Sequence, residues 1–245
     1  TNFNGVPVGR LARINDDSNV DQNFLTGSGV NAVINSIVVQ TDQKILIGGV
    51  FTNYNGAGRN AIARLLPDGT LDSSFNPGSG PDNAVYAVTL GSNGRIYVGG
   101  SFTTFNGVTR PGLVALTSAG AVDTTFNTGS GVAGKVFSVA VQPDGKVIVG
   151  GDFTVVNNVS RAGVARLNAD GTLDNTFLAG QSGADSAVRA VVVQGDGKIV
   201  IGGSFLTVNG APRSGLARLN ADGTLDATFL GSGVVADAVV LAVVA

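Results

Sequence analysis

A pair of glycines followed two residues later by phenylalanine returns along this chain as Gly48-Gly49 with Phe51, Gly99-Gly100 with Phe102, Gly150-Gly151 with Phe153 and Gly202-Gly203 with Phe205. The separations are 51, 51 and 52 residues. A second block, Asp68-Gly69-Thr70-Leu71-Asp72 with Phe75, returns at Asp170 to Phe177 and at Asp222 to Phe229. Weaker copies lie at Asp17 to Phe24 and Ala119 to Phe126. Self-similarity at a fixed period is the signature of a repeat architecture, in which one supersecondary unit is copied along the chain.

Each unit reads as four short strands. The first is Ile34 to Val39, matched by Val85 to Leu90, Val136 to Val141, Val188 to Val193 and Val240 to Ala245. A tight turn leads to a second strand, Lys44 to Gly49, and the polar stretch Asn53 to Arg59 leads to a third, Ala61 to Leu65. Asp-Gly then turns the chain into a short fourth strand near Leu71, because this dipeptide supplies the positive φ that two-residue hairpins need. One small antiparallel sheet per 40–50 residues is a propeller blade. The expectation is therefore an all-β propeller of about five four-stranded blades. A β-solenoid is the competing architecture, but its coils are usually shorter than this unit.

Composition supports hairpins over helices. Glutamate is absent, so all 17 acidic residues are Asp, a turn former rather than a helix former. The 37 glycines show no Gly-X-Y period, which excludes collagen. No apolar run reaches the 18 or more residues of a membrane-spanning helix, so no membrane span is expected. A net charge of −2 gives no basic footprint for nucleic acid.

The units run over about 30–80, 81–131, 132–183 and 184–233. Residues 1–29 match the second half of a unit and 234–245 the start of one. One blade split between the termini is expected, lacking its double-glycine strand unless further segments of a longer chain or a neighbouring subunit complete it. Absence of a starting Met and of a signal peptide fits a processed product or part of a longer chain.

Twelve of the 15 basic residues and 12 of the 17 acidic ones occupy repeat positions. A charge present in every unit serves the unit before it serves one ligand. The loop arginines Arg59, Arg110, Arg161 and Arg213 are expected to bridge backbone carbonyls or the repeat aspartates, as the planar guanidinium fork favours. An anion-binding ring of arginines is the alternative, and Val8 at the matching position of the split unit breaks it.

Catalytic constellations are scarce. No His or Cys is present, which removes Ser-His-Asp and Cys-His arrangements, and a zinc site would need carboxylates alone. Propeller glycosidases need two carboxylates near the channel, yet no copy of the first strand carries one. The glycine-rich stretches lack a following helix and a P-loop lysine, and the Asp-Gly turns lack calcium-loop spacing. No catalytic residue, cofactor or metal is expected, and the chain is read as no enzyme.

Function is sought where the copies differ. One first-strand position varies widely, as Asn35, Tyr86, Phe137, Arg189 and Leu241, while the next stays small as Ser36, Ala87, Ser138, Ala190 and Ala242. Pointing into the channel, that row makes an asymmetric patch with aromatic faces and one cation, suited to a sugar or a peptide side chain. Variable packing between blades is the plainer account. Asn31, Asp82 and Asp185, with Lys135 nearby, are expected at one rim. The candidate ligand-binding residues are Asn35, Tyr86, Phe137, Arg189, Asp82 and Asp185. Tyr54 and Phe105, alternating with Phe3, Val156 and Val208, read as partly buried loop anchors.

The pattern V-x-x-V-x-x-Q-x-D-G-K-I-x-x-G-G-x-F, near-matched at Val136 to Phe153 and Val188 to Phe205, resembles the Delta-60 repeat family. The following A-R-L-N-x-D-G-T-L-D-x-x-F, at Ala165 to Phe177 and Ala217 to Phe229, strengthens the likeness. Gln43 for Gly and Ala119 for Asp depart from it in turns. The resemblance implies a propeller-like repeat domain in large secreted or surface-attached bacterial proteins, with no catalytic residues to carry over. The expectation is an extracellular or cell-surface scaffold or adhesive module binding a protein or glycan at one propeller face. A lectin-like propeller with sugar pockets between blades is the alternative, and a hydrolase ranks last.

Overall fold

The computed structural model describes residues 2–3, 5–229, 236 and 238–244, and every regular element among them is a β-strand. The ends of the expected fourth and split units, at 230–235, 237 and 245, lie outside the described residues, as do 1 and 4.

Each repeat unit builds one antiparallel ladder. In the first, Ile34–Val39 pairs with Ile45–Gly49, which pairs in turn with Ile62–Leu65. The same order holds for Val85–Leu90, Ile96–Gly100 and Leu113–Leu116. It holds again for Val132–Val141, Val147–Val156 and Val164–Leu167, and for Val188–Val193, Ile199–Gly203 and Leu216–Leu219. The fourth strand is slighter than expected. It joins by a single bridge, as between Leu65 and Leu71 or Leu167 and Leu173. The cause lies at the next residue, where the Asp72 carboxylate accepts from the Ser74 amide and hydroxyl and bends the chain out of line.

The double glycine has two separate causes. Residues 34 and 36 pair with Gly49 and Gly48, so Asn35 is an extra residue in its strand, a β-bulge; the second and fourth units repeat the shift at Tyr86 and Arg189. In the third unit the shift falls between Val136 and Ser138, at Phe137. The bulge drives the preceding carbonyl toward the second glycine. A Cβ on Gly49 would meet the Val33 oxygen at 2.1 Å, and one on Gly151 the Lys135 oxygen at 2.0 Å. The first glycine makes room for the next sheet. A Cβ on Gly48 would meet Val85 at 2.6 Å and Val88 at 2.8 Å, and one on Gly150 would meet Val191 and Val188 at 2.5 and 2.9 Å. Valine knobs thus enter glycine sockets from sheet to sheet, and consecutive first strands pack together.

The core follows the same period. Phe51, Phe102, Phe153 and Phe205 are buried, as are Phe24, Phe75, Phe126 and Phe177. Each contributes about 1.5–3 kcal/mol by leaving water. Tyr54, Phe105, Val156 and Val208 are fully buried rather than partly so, and the Tyr54 hydroxyl donates to the Gly69 carbonyl at 2.5 Å. Phe3, at the matching place, is 40% exposed.

The third unit departs from its siblings. Its first strand begins at Val132, four residues before the expected Val136. Asn31, Asp82 and Asp185 fix the rim loop in the other units, whereas Ala133 stands at that place and has no side-chain acceptor. The backbone there continues the ladder instead, pairing Val132 with Val156.

At the C-terminal end, the Val240 amide donates to the Gly203 carbonyl at 3.1 Å and Ala236 to Ser214 at 3.1 Å, seating this segment on the fourth unit. Residues 240–244, expected as a strand, belong to no ladder among the described residues. A ladder needs a paired second strand, and beyond the single Val240 backbone bond these residues meet the fourth unit through side chains, with Val240 and Val243 over Gly202.

Candidate functional site

The bulges carry the variable row. An extra residue in a strand re-aims its side chain, and here four successive sheets each present one. The rings of Tyr86 and Phe137 lie 5.2 Å apart between centres with a 58° tilt. The Arg189 guanidinium carbon lies 4.2 Å from the Phe137 ring centre. The three side chains are half-buried and span three consecutive units. Asn35 is exposed, and its amide donates to the Val85 carbonyl at 2.8 Å, which ties it to the second unit rather than to the stack. Arg189 Nε is buried without a protein hydrogen-bond partner. Together they form an apolar surface ended by a cation, able to stack a planar or sugar face and to meet an anionic group.

The small residues after the bulge do more than permit close approach. Ser36 Oγ accepts from the Val88 amide at 3.0 Å, and Ser138 Oγ accepts from the Val191 amide at 3.1 Å. Thr89 adds a bond to the Val139 carbonyl at 2.7 Å. These clamps set the spacing on which the stack depends. An alternation of Ser and Ala in that column was their only sequence signal.

Asp82 and Asp185 sit apart from the stack in role. Asp82 accepts from the Thr103 and Thr104 amides and the Thr103 hydroxyl. Asp185 accepts from the Leu206 and Thr207 amides, and Asn31 does the same with Thr52 and Asn53. Burial works to raise both carboxyls, but these bonds outweigh it and leave each below its ordinary value. The three side chains anchor the loop after the glycine strand. Around them open equivalent clefts between units, one of about 360 Å³ beside Phe51, Asn60 and Asp82, and one of about 340 Å³ beside Phe153, Asp152 and Asp185.

The repeated charges act as scaffold. Asp174 receives Arg166 Nε and Lys146 Nζ, both at 2.8 Å, and Asp226 receives Arg218 and Lys198 alike. The Arg13, Arg64 and Arg166 guanidinium groups also donate to the next unit's turn, at Pro67, Ser118 and Ala221. The loop arginines bond only backbone carbonyls among the expected partners, each that of the residue before it, as Arg59 does with Gly58 and Arg110 with Thr109. Among the described residues no group of three potential metal ligands comes together. No helix among them is long and apolar enough to cross a membrane.

A family model described as a domain of unknown function (DUF5122) β-propeller matches residues 40–75, 91–126, 142–177 and 194–229. None of the curated proteins matches the chain. Among solved structures, it is similar to the extracellular domain of a protein of B. thetaiotaomicron described as a hybrid two-component system. The TM-score is 0.49 and the identity 14%, over 84% of this chain and 22% of that one. It is also similar to a protein of unknown function from Bacteroides caccae, at TM-score 0.47 and 16% identity over 90% and 76% of the two chains. A glucose dehydrogenase matches at TM-score 0.43 and 15% identity, over 82% and 69%. The chain spans about a fifth of the first of these proteins. The expectation that the chain is no enzyme is withdrawn, because an enzyme stands among the structures it resembles. At that identity the match assigns no activity here.

Proposed function

This chain belongs to the DUF5122 β-propeller family, and on that footing we propose that it is an extracellular or cell-surface recognition module, with adhesion to a protein or glycan partner as its role. Its binding surface is the bulge row, centred on Tyr86, Phe137 and Arg189. One observation carries this reading: the column that differs most among otherwise equivalent strands is the column the bulges re-aim, and it assembles an aromatic pair capped by a guanidinium. Likeness to an extracellular domain and the Delta-60 pattern of Val136 to Phe153 accord with the location proposed. The surface chemistry selects a partner presenting an apolar face beside an acidic group.

The recurring clefts beside Asp82 and Asp185 favour a second reading, a lectin-like propeller with one sugar site per junction. Glycan and peptide arrays probed with the parent chain, Phe137→Ala and Ser186→Trp separate the two. Loss of signal with Phe137→Ala alone supports the bulge row. Loss with Ser186→Trp alone, which fills a cleft, overturns it in favour of the junction sites.

A further inference from the structure

Among the described residues, the first unit's sheet lacks the glycine-socket neighbour that the sheets of the second, third and fourth units have. Val85 and Val88 fill the socket at Gly48, Val136 and Val139 that at Gly99, Val188 and Val191 that at Gly150, and Val240 and Val243 that at Gly202. Ile34 and Ile37 hold the same places in the first unit. Ile37 is 52% exposed, whereas Val88 is 4% and Val139 and Val191 are each 6% exposed.

Facing them is half a unit. Asn2–Phe3 pairs with Val6–Pro7 as Asn53–Tyr54 pairs with Ala57–Gly58, Ile14 bridges Val20 as Leu65 bridges Leu71, and Arg13 pairs with Asp21 as Arg64 pairs with Asp72. Arg13 also donates to Pro67, so this half is seated on the first unit as the first, second and third units are each seated on the next through Arg64, Arg95 and Arg166. Its apolar side lies open, with Phe3 40% and Ile14 42% exposed where Tyr54 and Leu65 are at 0%. Between the half-unit and the first sheet runs a groove of about 500 Å³ lined by Phe3, Leu11, Val33 and Ile34 among others.

We infer that this groove is a socket for the inner hairpin of a further repeat unit, an aliphatic first strand and a second strand ending in Gly-Gly, whose chain runs on into Asn2. Its first glycine lies over Ile34 and Ile37, because no larger residue admits such knobs at the four sockets already filled. The second strand covers Phe3 and Ile14, as Ile45–Gly49 lies beside Ile62–Leu65 in the first unit. The surface is thus continuous with an interface the chain already repeats, which states the chemistry of its occupant. This assignment is independent of the bulge-row reading.

The chain contains no cysteine, so Ile37→Cys is a single labelling site. The parent is compared with a form carrying a second copy of residues 30–51 directly before Thr1. Thiol labelling of Cys at 37 is expected to slow by about tenfold or more in the extended form, since access then requires local opening. Gly48→Val in the added copy is expected to restore fast labelling. Equal labelling in parent and extended forms overturns the assignment, as does equal protection by the Gly48→Val copy. Two results on the parent also overturn it. Slow labelling that speeds on dilution identifies a second copy as the occupant, and slow labelling abolished by deleting residues 236–245 identifies the chain's own C-terminal segment.

Discussion

The Arg189 guanidinium stands 4.2 Å from the centre of the Phe137 ring, and the two side chains come from first strands of neighbouring units. Phe137 also meets Tyr86 of the unit on its other side in sequence. The stack therefore links three sheets through side chains that no ladder pairs. A cation over an aromatic face contributes about 0.5–1 kcal/mol when partly exposed. A double-mutant cycle of Phe137→Leu and Arg189→Met, followed by urea denaturation, is expected to give a coupling of that size. Strict additivity would show that the contact carries no energy.

The two glycines of each pair are expected to fail differently. Gly150→Ala pushes on the ends of two valine side chains, which can shift, so a cost of about 1–3 kcal/mol follows from overpacking. Gly151→Ala sets its Cβ against the Lys135 carbonyl oxygen, which the bulge holds in place, so the loss exceeds that of Gly150→Ala. Gly195→Ala meets nothing within 4 Å at an ordinary φ and is expected to be neutral or to stabilise by about 0.4–1 kcal/mol. Thermal melts of the three variants rank them; Gly151→Ala more stable than Gly150→Ala would refute the bulge account.

Much of this was legible beforehand. The period, the strand order and the varying column follow from recurring Gly-Gly, Asp-Gly and Val positions, because each marks a backbone demand that any copy must meet. The bulge was hidden, since one extra residue leaves the period unchanged and shows only in pairing. Asp82 and Asp185 looked like ligand groups because an exposed rim acid reads alike whether it faces solvent or caps a loop. Ala133 held the missing clue, as the one unit without that acceptor is the one whose strand runs on. Phe3 read as a partly buried loop anchor like Tyr54, and its 40% exposure beside the fully buried Tyr54 depends on what packs over it, which no local pattern can announce.

Acid is expected to weaken the fold at a predictable place. Burial pushes the Asp174 carboxyl up, and bonds from Lys146, Thr176 and Arg166 more than reverse this, holding it well below the usual range. Asp72 behaves alike, burial being outweighed by Ser74, Arg64 and Lys44. A carboxyl lowered by folding adds stability above its unfolded value of about 3.9 and loses it as pH falls through the folded value. Urea midpoints should therefore stay flat from about pH 8 to 5 and decline below about pH 4. Asp174→Asn is expected to cost about 3 kcal/mol near neutrality, since Arg166 is left buried beside a neutral group, and to flatten the acid decline. An unchanged acid slope would remove this carboxyl from the cause.

Alkali tests a single phenol. Burial first, and the Asp68 charge second, push the Tyr54 hydroxyl up to about 12, while it donates to Gly69. A group that folding keeps neutral adds stability below its unfolded value of about 10 and loses it as pH rises toward the folded one. Tyr54→Phe, which keeps the ring that Phe105 shows to fit, is expected to be less stable than the parent at neutral pH and to close the gap above about pH 10. A constant gap across that range would exclude the hydroxyl as its source.

The second unit offers a test of how the repeat conserves its ties while exchanging residues. It has Ala115 where the others carry Arg64, Arg166 and Arg218, and Arg95 where they carry Lys44, Lys146 and Lys198. Arg95 reaches from the second strand to make the bonds that Arg64 makes from the third. It donates to Asp123 at 2.6 Å, to Thr125 at 2.6 Å and to the Ala169 carbonyl of the next unit at 2.7 Å. A lysine at 95 has one donor centre and cannot span all three, so Arg95→Lys is expected to lose the tie to the third unit and about 1–2 kcal/mol with it. Adding Ala115→Arg recreates the pairing of the other units and should recover most of that loss, although Ala115→Arg alone crowds Arg95 and destabilises. Urea denaturation of the four proteins reads the cycle, and a coupling near zero between positions 95 and 115 would mean that the two residues do not share the task.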